Sequence, residues 1–388
     1  MIRRYLKTQL IESLKEFPAV AILGPRQCGK STLAKMIINE LTDVIYIDVE
    51  KPSDRIKLSD PEIFFELNRN KLICIDEIQR LPDIFQILRS EIDIKRRNGR
   101  FLILGSASKE LLKQSSESLA GRIIYHQLTP FQFREIEQSS SLQKYWSRGG
   151  FPSSLLATSE KSSFIWRNSF IQTFVERDIP QLGFSFPAET IRRLWQMLAH
   201  HHGQLLNLSA LGNSLGLSHT TVRNYIDLLS ETFMVRVLKP YHTNIGKRLV
   251  KSPKVYIRDH GILHNLLQLA NFEQILGHPV FGASWEGLVI ENLITIADYW
   301  TPSFYRTSAG AEIDLILTFG NKTVAIECKA TKTPHLTRGF WNAIEDIKPN
   351  ETWIIAPVDE GYPLKKDIWV LPLTKALNKL EELNKSLF

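Results

Sequence analysis

The sequence predicts an α/β protein built around a parallel β-sheet, and three short apolar runs indicate its strands. Ala19–Leu23, Leu72–Ile75 and Phe101–Leu104 each have the length of a buried strand, and each is followed by polar or glycine residues. Gly24–Thr32 follows the first run and leads into a helical pattern of apolar residues. Strands that alternate with helices favour a parallel sheet, in which ligands bind at the carboxyl ends of the strands.

The bulk composition is that of a folded protein with more than one domain. The chain has 388 residues, of which 43% are hydrophobic and 23% are charged, and this composition excludes a disordered or low-complexity chain. Its length predicts roughly two to four domains. The formal net charge of +7 permits an acidic partner such as nucleic acid, although net charge alone does not establish one.

Cysteine usage and hydropathy exclude two further classes of protein. Cys28, Cys74 and Cys328 lie far apart and form no C-x-x-C pair, which argues against a disulfide framework and against a cysteine zinc site. No run approaches the roughly 18 apolar residues that a membrane span requires. We therefore expect a cytoplasmic protein without a membrane partner.

The segment Gly24–Thr32 has the pattern G-x-x-x-x-G-K-[ST], in the strand–loop–helix setting that phosphate binding requires. Its glycines let backbone N–H groups turn towards phosphate oxygens, and the helix N-terminus adds its dipole. Lys30 is predicted to contact the β- and γ-phosphates, and Ser31 to offer its hydroxyl to Mg²⁺. The predicted ligand is ATP or ADP with Mg²⁺, and the predicted binding residues are Gly24, Pro25, Arg26, Gln27, Cys28, Gly29, Lys30, Ser31 and Thr32.

Two acids at the end of the second apolar run complete the predicted catalytic site. Asp76 is predicted to hold Mg²⁺ directly or through water, and Glu77 to polarise the attacking water. Ser106, after the third run, either contacts the γ-phosphate or the water, or serves with Ser108 as a candidate N-cap in an ordinary strand-to-helix turn. Arg122 is either a surface residue or an arginine finger, which would reach a γ-phosphate of its own or of a neighbouring subunit.

These motifs resemble those of one group of AAA+ ATPases, the bacterial and archaeal family that carries a C-terminal domain of unknown function. The resemblance includes Gly24–Ser31, Ile75–Gln79, Gly105–Ser106, Leu119–Arg122, Leu128–Phe131, Arg148–Pro152 and Tyr256–Asp259, and it extends into the last hundred residues. It implies an AAA+ P-loop NTPase core at 1–137, a helical lid at 138–203, a winged helix at 204–272 and a nuclease-like α/β domain at 273–388. AAA+ proteins commonly form rings, so a homo-oligomer is among the expectations.

The segment from Leu208 to Leu229 is predicted to form a helix, a tight turn and a second helix that begins after Ser218. This is a helix-turn-helix layout, in which the second helix presents outward residues to DNA. The segment Phe233–Arg258 that follows contains seven basic residues and no acid, as expected for a wing that touches phosphates. The predicted DNA-binding residues are Arg223, Lys247, Arg248 and Lys251. The alternatives are a solvated basic face and a module that contacts protein.

Two predicted strands near the C-terminus carry acids and a lysine in a nuclease-like pattern. Asp314 lies in the first strand, and Glu327 and Lys329 lie at the end of the second. A turn at Gly320–Asn321 would place the two strands side by side. With Glu286 of a preceding helix, or Glu291 as its alternative, the pattern resembles the PD-(D/E)XK nuclease fold. The resemblance implies Mg²⁺ ligands at Glu286, Asp314 and Glu327, with Lys329 beside them. The plain alternative is a salt-bridged pair of strands.

Together these parts favour a DNA-associated ATPase, in which the lid and the winged helix transmit the nucleotide state to a basic surface. Branched DNA is one candidate target, since a winged helix and a nuclease-like surface could grip two arms. Two alternatives remain open: an ATP-dependent regulatory switch that recruits a protein, and an ATP-gated, Mg²⁺-dependent DNA nuclease.

Overall fold

The structure is a computed structural model that describes residues 2–81, 83–106, 119–182, 184, 186–241 and 249–387. It divides into two compact units. The first comprises the chain up to Phe131 together with Glu231–Phe233, and the second comprises Gln132–Ser230 and Met234–Phe388. Within the described ranges, no helix is both long enough and apolar enough to cross a membrane.

The first unit contains a parallel sheet covered by helices. Its strands are β1 (Ala19–Leu23), β2 (Val44–Asp48), β3 (Leu72–Asp76), β4 (Phe101–Gly105) and β5 (Ile123–Gln127). Its helices are α1 (Leu6–Glu16), α2 (Lys30–Ile38), α3 (Pro52–Lys57), α4 (Pro61–Leu67) and α5 (Ile84–Ile94), with a 3₁₀ turn at Ile78–Arg80. The strand order is β2-β3-β4-β1-β5, and every neighbouring pair is parallel, which confirms the predicted sheet.

Burial explains which strands the sequence revealed. Every residue of β1, β3 and β4 is buried, because alternate side chains enter apolar layers on the two faces of the sheet. Helix α5 packs on one face and helix α2 on the other. The edge strands β2 and β5 are mostly half-buried, so they show a weaker apolar pattern and were not predicted.

The second unit begins with a helical region around a large apolar core. Its helices are α6 (Phe133–Ile136), α7 (Leu142–Arg148), α8 (Pro152–Leu155), α9 (Glu160–Thr173), α10 (Ile179–Gln181) and α11 (Ala188–His200), and a π-helical turn at Phe174–Asp178 joins α9 to α10. Arg167 of α9 is fully buried, and its Nη1 donates to the carbonyl oxygens of Ser147 and Gly261 at 2.9 and 3.0 Å. These bonds tie α9 to α7 and to the later segment around Gly261.

A helix pair and a small antiparallel sheet follow. The elements are β6 (Gln204–Leu205), α12 (Leu208–Leu215), α13 (His219–Glu231), β7 (Val235–Leu238) and β8 (Lys254–Ile257), and the strand order is β6-β8-β7. Gly216 turns the chain after α12 with a φ of 66°, which glycine adopts readily. The hydroxyl of Ser218 accepts a hydrogen bond from the Thr221 N–H at 3.1 Å, so α13 begins after Ser218 as expected.

The C-terminal part of the second unit is a six-stranded mixed sheet with helices. The helices are α14 (His260–Leu266), α15 (Phe272–Leu276), α16 (Phe281–Ile296), α17 (Arg338–Ile347) and α18 (Leu373–Lys385). The strands are β9 (Thr301–Arg306), β10 (Glu312–Phe319), β11 (Lys322–Cys328), β12 (Glu351–Ile355), β13 (Tyr362–Lys365) and β14 (Ile368–Leu371), in the order β13-β14-β12-β11-β10-β9. Strands β10 and β11 form the predicted hairpin, and its register pairs Leu315 with Ile326.

Candidate functional site

The phosphate loop lies between the carboxyl end of β1 and the first turn of α2, and it contains the predicted residues from Gly24 onward. Gly24 has no room for a side chain, because a Cβ there would lie 2.2 Å from the carbonyl oxygen of Leu128. Gln27 and Gly29 have positive φ angles of 61° and 101°. The loop therefore turns sharply into α2, which is the backbone path that points N–H groups at an anion.

Lys30 is the first residue of α2, and its side chain folds over the loop. Its Nζ donates to the carbonyl oxygens of Gly24 at 3.0 Å and Pro25 at 2.8 Å, and the residue is buried. The ammonium is therefore held inside the loop, where it can form charge-assisted hydrogen bonds with phosphate oxygens.

Two other side chains of the loop face different partners. Cys28 is fully buried, and its thiol donates to the carbonyl oxygen of Leu128 at 3.4 Å. Arg26 forms an ion pair with Glu50 at 3.6 Å. The Cys28 thiol and the Arg26 guanidinium thus both have partners within the protein.

A tyrosine lies beside the two predicted Mg²⁺ ligands, Ser31 and Asp76. The hydroxyl of Tyr46, on β2, donates to Oδ2 of Asp76 at 2.5 Å, and the Glu77 N–H donates to Oδ1 of Asp76 at 3.0 Å. The side chain of Ser31 lies close to this phenol. Burial and the Asp76 carboxylate raise the pKa of Tyr46, so the phenol keeps its proton and remains a donor. Tyr46 and Asp76 therefore form a hydrogen-bonded pair beside Ser31.

Glu77 and Ser106 are linked by a residue that the sequence did not single out. The side-chain amide of Gln79 donates both to Oε2 of Glu77 and to the hydroxyl of Ser106, the latter at 2.9 Å. Glu77 has a φ of 58°, an uncommon backbone conformation for a non-glycine residue. The structure thus brings Ser106, at the end of β4, to the Glu77 carboxylate. Ser108, the other N-cap candidate, lies outside the described residues.

Arg122 lies at the opposite edge of the sheet. The Ala19 N–H, at the start of β1, donates to the carbonyl oxygen of Arg122, whereas the phosphate loop follows the end of β1. A five-residue strand spans roughly 16 Å, which is farther than an arginine side chain reaches. The guanidinium instead binds Asp93 through Nε at 2.7 Å and Nη2 at 3.0 Å. The interpretation of Arg122 as a finger for its own subunit is therefore wrong, and only the neighbouring-subunit and surface interpretations remain.

The basic segment that the sequence marked as a wing is partly neutralised by acids from α16. Arg236 and Arg258 donate from Nε to the carboxylate of Glu291 at 2.7 and 2.6 Å. Burial raises the pKa of Glu291, but the two guanidiniums outweigh burial and lower it to about 2. Glu291 is thus the anion of a buried ion-pair group, and the interpretation of Glu291 as an alternative metal ligand is wrong.

The predicted DNA-binding residues have different surroundings. Arg223, on α13, and Lys251, before β8, are exposed. Lys247 and Arg248 lie outside the described residues. In the described part of the segment Phe233–Arg258, three of the basic residues pair with acids of the second unit. Fewer of the seven cations are therefore available to contact phosphates than the sequence alone predicts: the paired residues are Arg236, Lys254 and Arg258.

The acids of the nuclease-like pattern lie together, but they surround an ammonium group. Lys254 of β8 places its Nζ 3.1 Å from Oε1 of Glu286, 2.8 Å from Oε1 of Glu312 and 3.5 Å from Oδ1 of Asp314. The described residues contain no group of three or more His, Cys, Asp and Glu side chains arranged to hold a metal ion. This arrangement does not fit the predicted Mg²⁺ site as it stands.

Glu327 lies next to Asp314 across the β10–β11 hairpin. Its Oε1 accepts a hydrogen bond from Lys329 at 2.7 Å, while its buried Oε2 has no partner. Burial and the neighbouring Asp314 raise the pKa of Glu327 to about 8. Burial and Glu286 raise the pKa of Asp314 to about 6. Glu327 and Lys329 are thus paired at the end of β11.

Comparisons with known proteins place these sites in context. Residues 16–137 match the AAA domain, residues 139–273 match a domain of unknown function (DUF8612), and residues 281–376 match a domain of unknown function (DUF4143). The uncharacterized protein Rv2008c of Mycobacterium tuberculosis is 40% identical over 375 residues, covering 97% of this chain and 84% of that protein. This chain belongs to the same family as the mycobacterial protein. Its N-terminal part is an AAA-type P-loop ATPase domain, which confirms that part of the predicted resemblance.

More distant relatives and solved structures show lower identity. The uncharacterized protein MJ1544 of Methanocaldococcus jannaschii is 23% identical over 376 residues, covering 88% of this chain and 82% of that protein. The Walker-type ATPase paby2304 of Pyrococcus abyssi is similar with a TM-score of 0.48 and 15% identity, covering 69% of this chain and 96% of that chain. Thermotoga maritima RuvB T158V has a TM-score of 0.31 and 17% identity, covering 61% of this chain and 90% of that chain.

Three residues at these sites were not recognised as functional in the sequence. Tyr46 lies in an edge strand, and Gln79 lies just beyond the Asp76–Glu77 pair, but neither has a fixed spacing that marks it. Lys254 looked like one more cation of a basic segment. Only the fold shows that Lys254 is buried among acids that follow it by 32 to 60 residues.

Proposed function

We propose that this chain hydrolyses ATP with Mg²⁺ at the carboxyl edge of the first unit's sheet. The observation that carries this proposal is the convergence of three strand ends. Lys30 follows β1, Ser106 follows β4, and the Asp76–Glu77 pair closes β3. Because β3, β4 and β1 are consecutive in the sheet, these residues border one crevice.

The donor atoms at this edge suit Mg²⁺. The Ser31 hydroxyl and the Asp76 carboxylate are hard oxygen ligands, and Tyr46 lies beside both of them and hydrogen-bonds to Asp76. When bound there, Mg²⁺ supplies positive charge to the β- and γ-phosphate oxygens. Lys30 adds a second cation on the side of the loop, so charge that develops on the phosphates is neutralised from two directions.

Glu77 is the proposed general base. Its carboxylate orients the attacking water and accepts hydrogen-bond donation from it. Gln79 holds Oε2 of Glu77 and the Ser106 hydroxyl, so we assign it a positioning role rather than a catalytic one. The remaining Glu77 oxygen is then the one that faces water.

Phosphate release from ATP tests this function. Glu77→Gln is expected to bind ATP as the wild type does while kcat falls by about 10²- to 10⁴-fold, because only the base is lost. Lys30→Ala is expected to lose nucleotide binding. Glu62→Gln is the matched control, since Glu62 is an exposed residue of α4. Wild-type turnover no faster than that of Glu77→Gln would contradict the proposal.

A second candidate function is DNA contact through α13. The observation that favours it is the exposed face of this helix, which presents Thr220, Arg223 and Asn224. The helix pair α12–α13 followed by the β6-β8-β7 sheet supports a winged-helix interpretation, in which α13 would enter the major groove. The terminal module would extend the contact surface, with branched DNA as the preferred form.

Binding of labelled duplex, forked and single-stranded DNA at two salt concentrations tests this candidate. Arg223→Glu is expected to weaken binding by about fivefold or more and to reduce its salt dependence. Lys161→Glu, an exposed charge on α9, is the control and should leave binding within about twofold. Binding that does not change with salt or with Arg223→Glu would remove DNA and favour the protein-recruiting switch.

A further inference from the structure

Lys254 connects the small sheet to the acids of the terminal sheet. The residue lies on β8, and 3% of its side chain is exposed. Its Nζ contacts Glu286 of α16 and both Glu312 and Asp314 of β10. The hydroxyl of Tyr256 donates to the same Oε1 of Glu286 at 2.6 Å. We name this group of one ammonium, one phenol and three carboxylates the Lys254 cluster.

The energetics of burial require such partners. An ammonium removed from water is strongly destabilising unless carboxylates and hydrogen bonds compensate it, and the same holds for each buried carboxylate. Asp314 receives a further bond, because the Cys328 N–H donates to its Oδ2 at 2.9 Å. The Lys254 ammonium is therefore compensated by carboxylates of this chain alone.

A divalent cation would need the same oxygens. Mg²⁺ and Mn²⁺ prefer carboxylate oxygens, and the acids that the nuclease-like pattern offers from α16 and β10 are Glu286 and Asp314. Both of these carboxylates already contact Lys254. The adjacent Glu327 keeps a buried oxygen, Oε2, without a partner, which leaves one free carboxylate oxygen beside Asp314.

We propose that the Lys254 ammonium is the resident cation of this carboxylate cluster and excludes a divalent cation from it. The acids then serve to fasten β8 to the terminal sheet. An ATP-gated nuclease would require Lys254 to leave the cluster before any metal could bind. This inference does not depend on the ATP site.

Mn²⁺ binding to the full chain without nucleotide tests the proposal, with bound Mn²⁺ counted by electron paramagnetic resonance. The wild type and Asp314→Asn are expected to bind Mn²⁺ equally. Lys254→Met removes the ammonium, so it is expected to gain one Mn²⁺ site that depends on Asp314. Its affinity for Mn²⁺ at this site should be at least about tenfold higher than that of the wild type. The double variant Lys254→Met with Asp314→Asn should lose that site. Lys366→Met, at an exposed lysine between β13 and β14, is the matched control and should gain nothing.

Thermal melting provides a second measurement. Lys254→Met leaves buried carboxylates without their cation, so its melting temperature should fall. Mn²⁺ should raise the melting temperature of this variant by more than it raises that of the wild type. A wild-type Mn²⁺ site that disappears in Asp314→Asn would overturn the proposal, and this comparison stands even if Lys254→Met fails to fold. A folded Lys254→Met that gains no Mn²⁺ site would overturn it as well.

Discussion

The hydroxyl of Tyr46 donates a 2.5 Å hydrogen bond to Oδ2 of Asp76, across the two neighbouring strands β2 and β3. The same phenol lies close to Ser31 of the phosphate loop. One side chain from an edge strand therefore lies beside both the loop and the acidic strand end. If Mg²⁺ binds there as proposed, Tyr46 orients the Asp76 carboxylate for the metal rather than for the nucleotide.

Tyr46→Phe should weaken Mg²⁺-dependent nucleotide binding selectively. Loss of a residue that orients metal ligands typically lowers metal affinity by about 10- to 100-fold. We expect ADP affinity in the presence of Mg²⁺ to fall towards the affinity measured with EDTA, while the EDTA value is unchanged. Calorimetric titration of both variants in both buffers measures this. Tyr362→Phe, at an exposed residue of β13, is the control, and equal losses in both buffers would assign Tyr46 a structural role instead.

Gly24→Ala should disrupt the phosphate loop. The added Cβ would lie 2.2 Å from the Leu128 carbonyl oxygen, so the backbone must shift, at a cost of about 1–3 kcal/mol. We expect a lower melting temperature and weaker ADP binding. Gly282→Ala on α16 is the comparison, since a Cβ there meets nothing within 4 Å and alanine favours a helix by about 0.5–1 kcal/mol. Equal effects of the two substitutions would contradict the packing argument.

Glu291→Gln should destabilise the second unit in a pH-dependent way. Removing this anion takes away the carboxylate that the guanidiniums of Arg236 and Arg258 share, at a cost of about 3–5 kcal/mol near neutral pH. The pKa of Glu291 is about 2 in the folded protein, against an ordinary value of 4.5. The ionised group therefore contributes stability that is fully present above pH 4.5 and is lost as the pH falls through about 2.

Urea unfolding of the wild type and Glu291→Gln at pH 7 and at pH 3 measures this effect. The difference between the two proteins should be smaller at pH 3. Glu189→Gln breaks an exposed ion pair with Arg193 and should cost at most about 1 kcal/mol. A Glu291→Gln penalty that is as small as this control would show that the buried pair contributes little.

Arg122→Ala should leave nucleotide affinity within about twofold of the wild type, because the guanidinium lies a strand length from the phosphate loop of its own chain. Titration with ADP measures this, and Lys30→Ala is the positive control for lost binding. If a neighbouring subunit supplies the arginine, ATP turnover per subunit should rise with protein concentration. A mixture of the Arg122→Ala and Glu77→Gln variants should then recover part of the turnover that each variant loses on its own. Lost ADP affinity in dilute Arg122→Ala would contradict the opposite-edge placement.

The sequence predicted the parts of the fold that depend on local pattern. The strands β1, β3 and β4 are buried on both faces, so their apolar runs were continuous, and the Gly24–Thr32 spacing is fixed by backbone geometry. The helix start after Ser218 and the β10–β11 hairpin were predicted for the same reason, since a cap and a turn act over a few residues.

The sequence could not predict partners that come from distant segments. Arg236, Lys254 and Arg258 belong to a stretch without acids, and their carboxylates come from α16 and β10. Likewise, Arg122 follows a glycine as a finger residue would, but only the parallel pairing of β1 with β5 shows which end of the sheet it occupies. Local sequence therefore leaves two things undetermined: which charged side chains pair with each other, and how far apart two segments lie in the fold.

The ion pairs that leave the small sheet also limit how the chain can be divided. A fragment that ends at residue 272 would keep Arg236, Lys254 and Arg258 but lose Glu286, Glu291, Glu312 and Asp314. Its inward-facing cations would then meet solvent or unfold the strands that carry them. The helix pair α12–α13 and its small sheet thus do not form an independent folding unit. Any displacement of them would strain the ion pairs that join the small sheet to α16 and β10.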